Sequence, residues 1–268
     1  MENLPSMSGK SGDMILIMDS VQWNGEVGEQ LRDMFRAEVP GLPREEPLFN
    51  LIYVHPRKGY TLLTQIRNLV FVFTLDQQTA GSKILKESFS EETLERIRTD
   101  SSFFLVTTKN EYSRGQEVMY LFSDTQENLL KKLKSNSRAI VNFFNQVEKK
   151  RLLENLNKVT TTKELTNALR KENGVEIKIP FGFKLADKQE DFIWLRLMDA
   201  RVDKNIFISW KTYESEYQLL PDSLIAFRND IARKYLFDDP IDPESYVVTE
   251  TSIPFKPLKA TQVNFNGK

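Results

Sequence analysis

The 268-residue sequence contains no cysteine and only one histidine, His55. The absence of cysteine excludes disulfide bonds, thiol nucleophiles and thiolate metal sites, but it is compatible with either a reducing or an oxidising compartment. The sequence also lacks the run of about 18 apolar residues that a membrane-spanning helix needs. Its net charge is −1, so the whole chain is not a polyelectrolyte binder. The apolar content of 40% and the charged content of 28% are those of an ordinary globular protein.

A complete phosphate-binding loop is also missing, although Gly9-Lys10-Ser11 resembles the end of one. The motif requires a first glycine where this sequence has Leu4, and Pro5 follows it. A phosphate loop also follows a strand and opens a helix, whereas here the apolar run at residues 14–18 comes after the glycines. The stretch therefore predicts a flexible lead-in to a first strand.

Hydrophobic periodicity predicts an α+β fold with mixed or antiparallel sheets in two lobes. Strands are predicted at residues 14–18, 48–54, 69–75, 103–108, 118–122, 175–179, 192–197, 206–210 and 246–250. Helices are predicted at residues 26–38, 88–99 and about 125–157, after the capping box Thr161-x-x-Glu164, and after a cap at Asp222. The lobes are residues 1–124 and 174–268, and a basic helical connector spans residues 125–173.

The basic stretch between Lys131 and Lys171 is the largest electrostatic feature, with eleven Lys and Arg and three Glu. Within this stretch, a candidate surface for an anionic partner is formed by Lys149, Lys150 and Arg151. Such a partner could be lipid headgroups, lipopolysaccharide or nucleic acid. The alternative is a solvated helix face. Nucleic acid has the least support, because the sequence shows no helix-turn-helix spacing and no aromatic–basic RNA motif.

Two polar groups could carry chemistry, but neither matches a known pattern. His55 would be needed by any Ser-His-Asp arrangement, yet no G-x-S-x-G motif accompanies it, so it is interpreted as a strand-end residue. The acidic turn at residues 238–244 lacks the calcium-loop pattern. We therefore predict no catalytic, cofactor-binding or metal-binding residue.

The aromatic residues Trp23, Trp194, Trp210 and Tyr213 could form a platform for sugars or peptides. Trp23, beside Asn24-Gly25, is the one expected to be exposed, and it is a candidate surface-binding residue. Trp194 and Trp210 lie in strand patterns and are expected in the core.

Four stretches, in constant order along nearly the whole chain, carry a resemblance to a known family. They are LPSMSGKSGDMILIMD, VPGLPREEPLFNLIYV, IPFGFKLADKQEDFIWLRL, and the RND of FRNDIARKY followed by ESYVVTE. Trp23, Gly25 and Gly28 also match. With these stretches the chain resembles a domain-of-unknown-function family of uncharacterised exported lipoproteins from Bacteroidetes bacteria.

The resemblance implies a signal peptide and a lipidated cysteine before Leu4, and a further segment after the Asn266-Gly267 turn, so the chain is expected to be truncated at both ends. It implies a location in the cell envelope, with the folded part anchored at a membrane surface by lipid. It implies no catalytic or ligand-binding residue.

From these observations the expected function is that of a non-enzymatic binding or scaffold module of the cell envelope. Its expected partners are a membrane surface, reached through the lipid anchor, and an anionic lipid or a glycan. An envelope enzyme that acts on cell-wall or glycan substrate is one alternative. A cytosolic nucleic-acid-binding module that uses the basic helices is the other.

Overall fold

The computed structural model of the chain describes residues 4–39, 45–57, 65–158, 162–174, 176–198, 203–236, 249–255 and 258–264. The fold is α+β, as the sequence predicts. It divides into a first unit, residues 1–39 with 45–152, and a second unit, residues 153–268 with 40–44. The predicted three-part division at residues 124 and 173 stays a prediction. Within the described ranges, no helix is long and apolar enough to cross a membrane.

The first unit is built on a five-stranded mixed sheet. Its strands are β1 (Asp13–Met18), β2 (Asn50–Val54), β3 (Asn68–Thr74), β4 (Leu105–Lys109) and β5 (Glu117–Ser123). The strand order is β2-β1-β3-β5-β4; the first four are parallel, and β4 pairs antiparallel with β5 at the edge. Central parallel strands are covered on both faces, which explains why every residue of β3 is buried and why residues 69–73 are a continuous apolar run.

Helices cover both faces of this sheet. They are α1 (Ser20–Trp23), α2 (Glu26–Phe35), α3 (Ala80–Lys86), α4 (Glu91–Thr99) and α5 (Gln126–Lys158). The side chains of α2 and α5 pack in one apolar cluster, and those of α3 and α4 pack in a second cluster on the opposite face. The predicted apolar stripe of α2 is confirmed, since Val27, Leu31, Met34 and Phe35 are all buried.

The second unit contains α6 (Lys163–Asn173), β6 (Lys184–Lys188), β7 (Phe192–Leu197), β8 (Lys204–Ser209), a 3-10 turn (Glu216–Leu219), α7 (Pro221–Tyr235), β9 (Thr249–Phe255) and β10 (Leu258–Asn264). Strands β6, β7 and β8 form an antiparallel sheet, and β9 and β10 form a hairpin. Its core combines Leu169 of α6 with Ile193 and Leu195 of β7. Helix α6 ends at Gly174 with φ +68°, a left-handed conformation that favours glycine.

Several local predictions differ from the structure. Helices α1 and α3 and strand β6 were not predicted, because each is short and lacks a clear apolar period. The predicted strand at residues 175–179 is wrong for its described part, where Ile177 and Ile179 pack against the core in irregular backbone. Helix α7 begins at Pro221, before the predicted cap at Asp222, because proline suits the first helical position. Thr161 and the Asn266-Gly267 turn lie outside the described residues.

Candidate functional site

The parallel strands β1, β2 and β3 end at one edge of the sheet in the first unit, the carboxyl edge. Strand β1 lies between β2 and β3. The chain leaves β1 toward the face covered by α2, but it leaves β3 toward the face covered by α3. Connections that leave neighbouring parallel strands on opposite faces open a crevice, and ligands of open α/β sheets bind in such crevices.

An aspartate–histidine pair lies at this carboxyl edge. Asp19 follows β1, is only 2% exposed, and accepts a hydrogen bond from the backbone N–H of Val21 (2.8 Å), which caps α1. Its other oxygen, Oδ2, lies 3.5 Å from Nε2 of His55, whose side chain is 36% exposed. A buried carboxylate this close to an imidazole restricts the orientation of the ring. Sequence analysis interpreted His55 as a strand-end residue; the structure adds a buried acidic partner to it.

The backbone of α3 closes in on this pair at Gly81. A Cβ atom at Gly81 would lie 2.5 Å from Oδ2 of Asp19 and 3.1 Å from Nε2 of His55. These distances are too short for any larger residue without a shift of the pair. Glycine at this position therefore allows the backbone of α3 to approach the pair this closely.

A fully buried glutamine and a buried tyrosine hydroxyl complete the site. Gln22 of α1 donates from Nε2 to Oγ1 of Thr74, the last residue of β3 (2.8 Å). Its Oε1 and the hydroxyl of Tyr53 are buried and have no hydrogen-bond partner in the described structure. Burial, and then the negative charge of Asp19, raise the pKa of Tyr53, so this hydroxyl remains a donor at neutral pH. Buried polar atoms are normally paired, so two unpaired ones at a sheet crevice make this edge a candidate site for a polar ligand.

Trp23, predicted to be an exposed ligand contact, lies next to this site but is half-buried. Its ring stacks on Tyr53 with centroids 4.5 Å apart and planes 4° apart. The guanidinium of Arg32 lies 4.5 Å from the Trp23 ring centroid and also donates to the Trp23 carbonyl (2.7 Å). Most of the stacking surface of Trp23 is therefore used within the fold, and its role as a ligand contact stays a prediction.

The basic group at residues 149–151 divides between surface and interior. Lys149 and Lys150 are exposed on α5, but Arg151 is only 8% exposed. Its guanidinium donates to Oδ1 of Asn68 (2.7 Å), to Oε1 of Glu148 (2.6 Å), and to the backbone carbonyls of residues 67 (3.0 Å) and 115 (2.7 Å). The prediction of Arg151 as a surface-binding residue is therefore corrected: it holds α5 against the start of the sheet. Binding of an anionic partner by Lys149 and Lys150 stays a prediction.

The stretch Gly9-Lys10-Ser11 precedes β1, as predicted, and its donors bind carboxylates of the protein itself. Ser11 Oγ donates to Oε2 of Glu148 (2.8 Å), and the Lys10 backbone N–H donates to Oδ2 of Asp13 (2.7 Å). These bonds tie the loop to the fold, so it is not the free lead-in that we expected. They also use the groups that a phosphate would need.

The remaining candidates do not form a site in the described structure. The acidic residues at 238–244 lie outside it, and in the part described no group of three or more metal-binding side chains occurs. Trp210 packs against the core of the second unit, as predicted. Trp194 is half-buried beside Phe207, with ring centroids 5.6 Å apart. Tyr213 is 62% exposed.

Sequence reasoning did not find Asp19, Gln22 and Tyr53 as parts of one site. Asp19 carried a usable signal, since a buried strand that ends in aspartate places a carboxylate at the carboxyl edge of a parallel sheet. Tyr53 carried none, because only the pairing of β1 with β2 brings it to Asp19. Gln22 carried none, because its partner Thr74 reaches it only through the pairing of β1 with β3.

Two family models match the chain. The model of the domain of unknown function DUF8532 matches residues 7–157. The chain belongs to this family. A second domain of unknown function, DUF4837, matches residues 162–268. The expected resemblance to a domain-of-unknown-function family is thereby confirmed, although two models share the length that we assigned to one. No curated protein and no solved structure matches the chain.

Proposed function

We propose that the DUF8532 unit is a non-enzymatic module that binds a hydroxyl-rich ligand, a glycan of the cell wall or envelope, at the carboxyl edge of its sheet. The observation that carries this proposal is the buried, unpaired Oε1 of Gln22, at the same edge of the sheet as the Asp19–His55 pair. This edge of the sheet carries two acceptors, Asp19 and Gln22, and one donor, the hydroxyl of Tyr53. Sugar hydroxyls both donate and accept, so they can satisfy this mixture where an anion or an apolar group cannot.

The only histidine of the chain makes this proposal directly testable. The imidazole signals of His55 can be followed by NMR without a second histidine to confuse them. Titration with soluble cell-wall oligosaccharides should shift these signals saturably. His55→Ala should weaken binding by about tenfold, which corresponds to the loss of one hydrogen bond of about 1.4 kcal/mol. Lys149→Ala, at an exposed position on α5, is the matched control and should bind like the parent protein. A titration in which His55 does not shift would refute the proposal.

We further propose that the chain is the body of a cell-envelope lipoprotein held at a membrane by lipid. The support is the resemblance of residues 4–19, 39–54 and 179–197 to exported lipoproteins. Expression of the natural gene with an alkyne-tagged fatty acid, followed by mass spectrometry of the mature protein, tests this. A lipidated cysteine upstream of Leu4 is the expected result, and an unprocessed, unlipidated protein would contradict it.

A second candidate function is hydrolysis of the same class of glycan. The Asp19–His55 pair favours it, because a carboxylate that orients an imidazole is the arrangement of a general base. In that case His55→Gln and Asp19→Asn should each abolish release of reducing ends from cell-wall material while binding persists. If release of reducing ends is unchanged by both substitutions, or absent in the parent protein, hydrolysis is contradicted and glycan binding is the only proposed function that remains.

A further inference from the structure

A cavity of the first unit, lined by none of the carboxyl-edge site residues, lies between the edge strand β4 and the middle of α5. We call it the edge cleft; its volume is about 420 Å³, within the range of about 300–1,000 Å³ for ligand pockets. Met119 and Ile140, both nearly fully buried, contribute apolar surface to the lining. Half-buried Phe104, Leu105 and Phe143 also line the cleft.

The lining divides by polarity. The polar lining residues are Ser102, Thr107 and Asn136. The Asn136 side-chain amide already donates to the Lys132 carbonyl (2.9 Å), so it is not free to recognise a polar ligand through that bond. The half-buried apolar side chains are therefore the main binding surface that the cleft offers, and they suit a hydrocarbon segment.

One cation stands at the end of this apolar surface. Lys132 lies one helical turn before Asn136, on the same side of α5. Its ammonium is 5.7 Å from the ring centroid of Phe104 and 3.3 Å from Oγ of Ser123. Among the residues that the structure describes, no carboxylate pairs with it. A half-buried ammonium without a counter-ion, next to an apolar cleft, is complementary to a negatively charged group attached to a hydrocarbon chain.

We propose that the edge cleft binds the alkyl chain of a single anionic amphiphile, whose charged headgroup lies beside Lys132. The ligand class is a monomeric fatty acid or an equivalent single-chain anion. This site is independent of the proposed glycan site, since the two share no residue.

Chain length provides the first test. Binding of octanoate, decanoate and dodecanoate, each below its micellar concentration, can be measured by displacement of the fluorescent probe 11-(dansylamino)undecanoate. Each buried methylene contributes about 0.8 kcal/mol, a factor of about four in affinity, until the cleft is full. Affinity should rise about fifteenfold from octanoate to decanoate, because two methylenes are added. An affinity independent of chain length would overturn the proposal.

Two variants locate the site. Ala139→Phe places a ring at an exposed position of the lining and should weaken decanoate binding at least tenfold, whereas Ser135→Phe, exposed on α5 but outside the cleft, should not. Lys132→Gln should weaken decanoate binding about threefold but leave decanol binding unchanged. Lys134→Gln, two residues further along the helix and exposed, is its charge-matched control. Circular dichroism melting of all four variants verifies that they fold.

The source of any lipid affinity is tested separately with vesicles of anionic phospholipid. Decanoate binding that Ala139→Phe abolishes supports the cleft. Vesicle binding that persists equally in Ala139→Phe and the parent, together with no binding of decanoate, would overturn the proposal. It would instead assign the affinity for anionic lipid to exposed basic residues of α5.

Discussion

Replacement of Arg151 by methionine should destabilise the first unit strongly, although the sequence places this residue in a run of surface cations. Methionine keeps the apolar stem and removes the guanidinium. The four hydrogen bonds of that group, to Asn68, Glu148 and two backbone carbonyls, are then lost. Breaking a buried ion pair from one side typically costs about 3–5 kcal/mol.

The structure favours the lower end of that range. Without Arg151, the carboxylate of Glu148 would keep Nε of Arg67 at 3.0 Å and Nδ2 of Asn68 at 3.0 Å, so its charge is not left wholly uncompensated. We therefore expect a loss of about 3 kcal/mol, which for a unit of this size corresponds to about 6–12 °C in melting temperature.

The assay is thermal unfolding followed by circular dichroism, with Lys149→Met as the matched control. Lys149 is exposed on the same turn of α5, and its substitution should change the free energy of unfolding by less than about 0.5 kcal/mol. Arg151→Lys should fall between the two, because lysine keeps the charge but cannot reproduce the planar fork of donors. A difference of 2 °C in melting temperature corresponds to only about 0.5–1 kcal/mol in the free energy of unfolding. An Arg151→Met protein that melts within 2 °C of the parent would therefore refute this account of the residue.

Three further predictions concern the pH dependence and the backbone. Burial opposes ionisation of Glu148, but hydrogen bonds from Asn68 and Ser11 and the charges of Arg67 and Arg151 together lower its pKa. Its contribution to stability is therefore present above the ordinary pKa of glutamate and is lost as the pH falls through the lowered value. Glu148→Gln should make the free energy of unfolding, measured with urea, depend less on pH between about pH 5 and 3. Gly28→Ala should cost about 2–3 kcal/mol, because its Cβ would lie 1.9 Å from the carbonyl oxygen of Trp23, and differential scanning calorimetry should show the lowered transition. Gly174→Ala should cost about 1–2 kcal/mol by urea unfolding, because φ is +68° there although no atom obstructs the new methyl group.

Local periodicity predicted much of the fold, because an element with a regular apolar stripe or an unbroken apolar run can be recognised from the sequence alone. The stripe of α2 and the unbroken apolar runs of β1 and β3 are examples. The elements that were missed are short ones, such as α3 with seven residues, whose packing depends on partners far away in the chain. Strand order could not be predicted either. Strand β1 pairs with β2 on one side and with β3 on the other, and no local sequence feature indicates these neighbours.

The candidate site was harder to predict than the fold for the same reason. Three cations, Lys149, Lys150 and Arg151, are adjacent in the sequence and look alike there. Arg151 is recognised as a structural residue only through its contacts in the fold, such as the one with Asn68, 83 positions away. At the carboxyl edge, His55 carried a chemical signal in isolation, but its significance rests on Asp19, which another strand brings to it.

The two edges of the sheet in the first unit differ in how their buried polar groups are paired, and this difference bears on the proposed binding site more than any single residue does. At the amino edge the charges are matched. Two of its buried atoms, Nε of Arg67 and Oε2 of Glu117, lack a hydrogen bond, but Arg67 lies 3.0 Å from the carboxylate of Glu148 and Oε1 of Glu117 lies 3.4 Å from Nζ of Lys109. At the carboxyl edge the unpaired atoms, Oε1 of Gln22 and the Tyr53 hydroxyl, are neutral and have no such compensation. Burying an amide or hydroxyl without a partner costs about 1–3 kcal/mol. A fold that pairs the charges of one edge and leaves this cost at the other supports the ligand site that we propose there, and binding that ligand should raise the melting temperature of the parent protein more than that of His55→Ala.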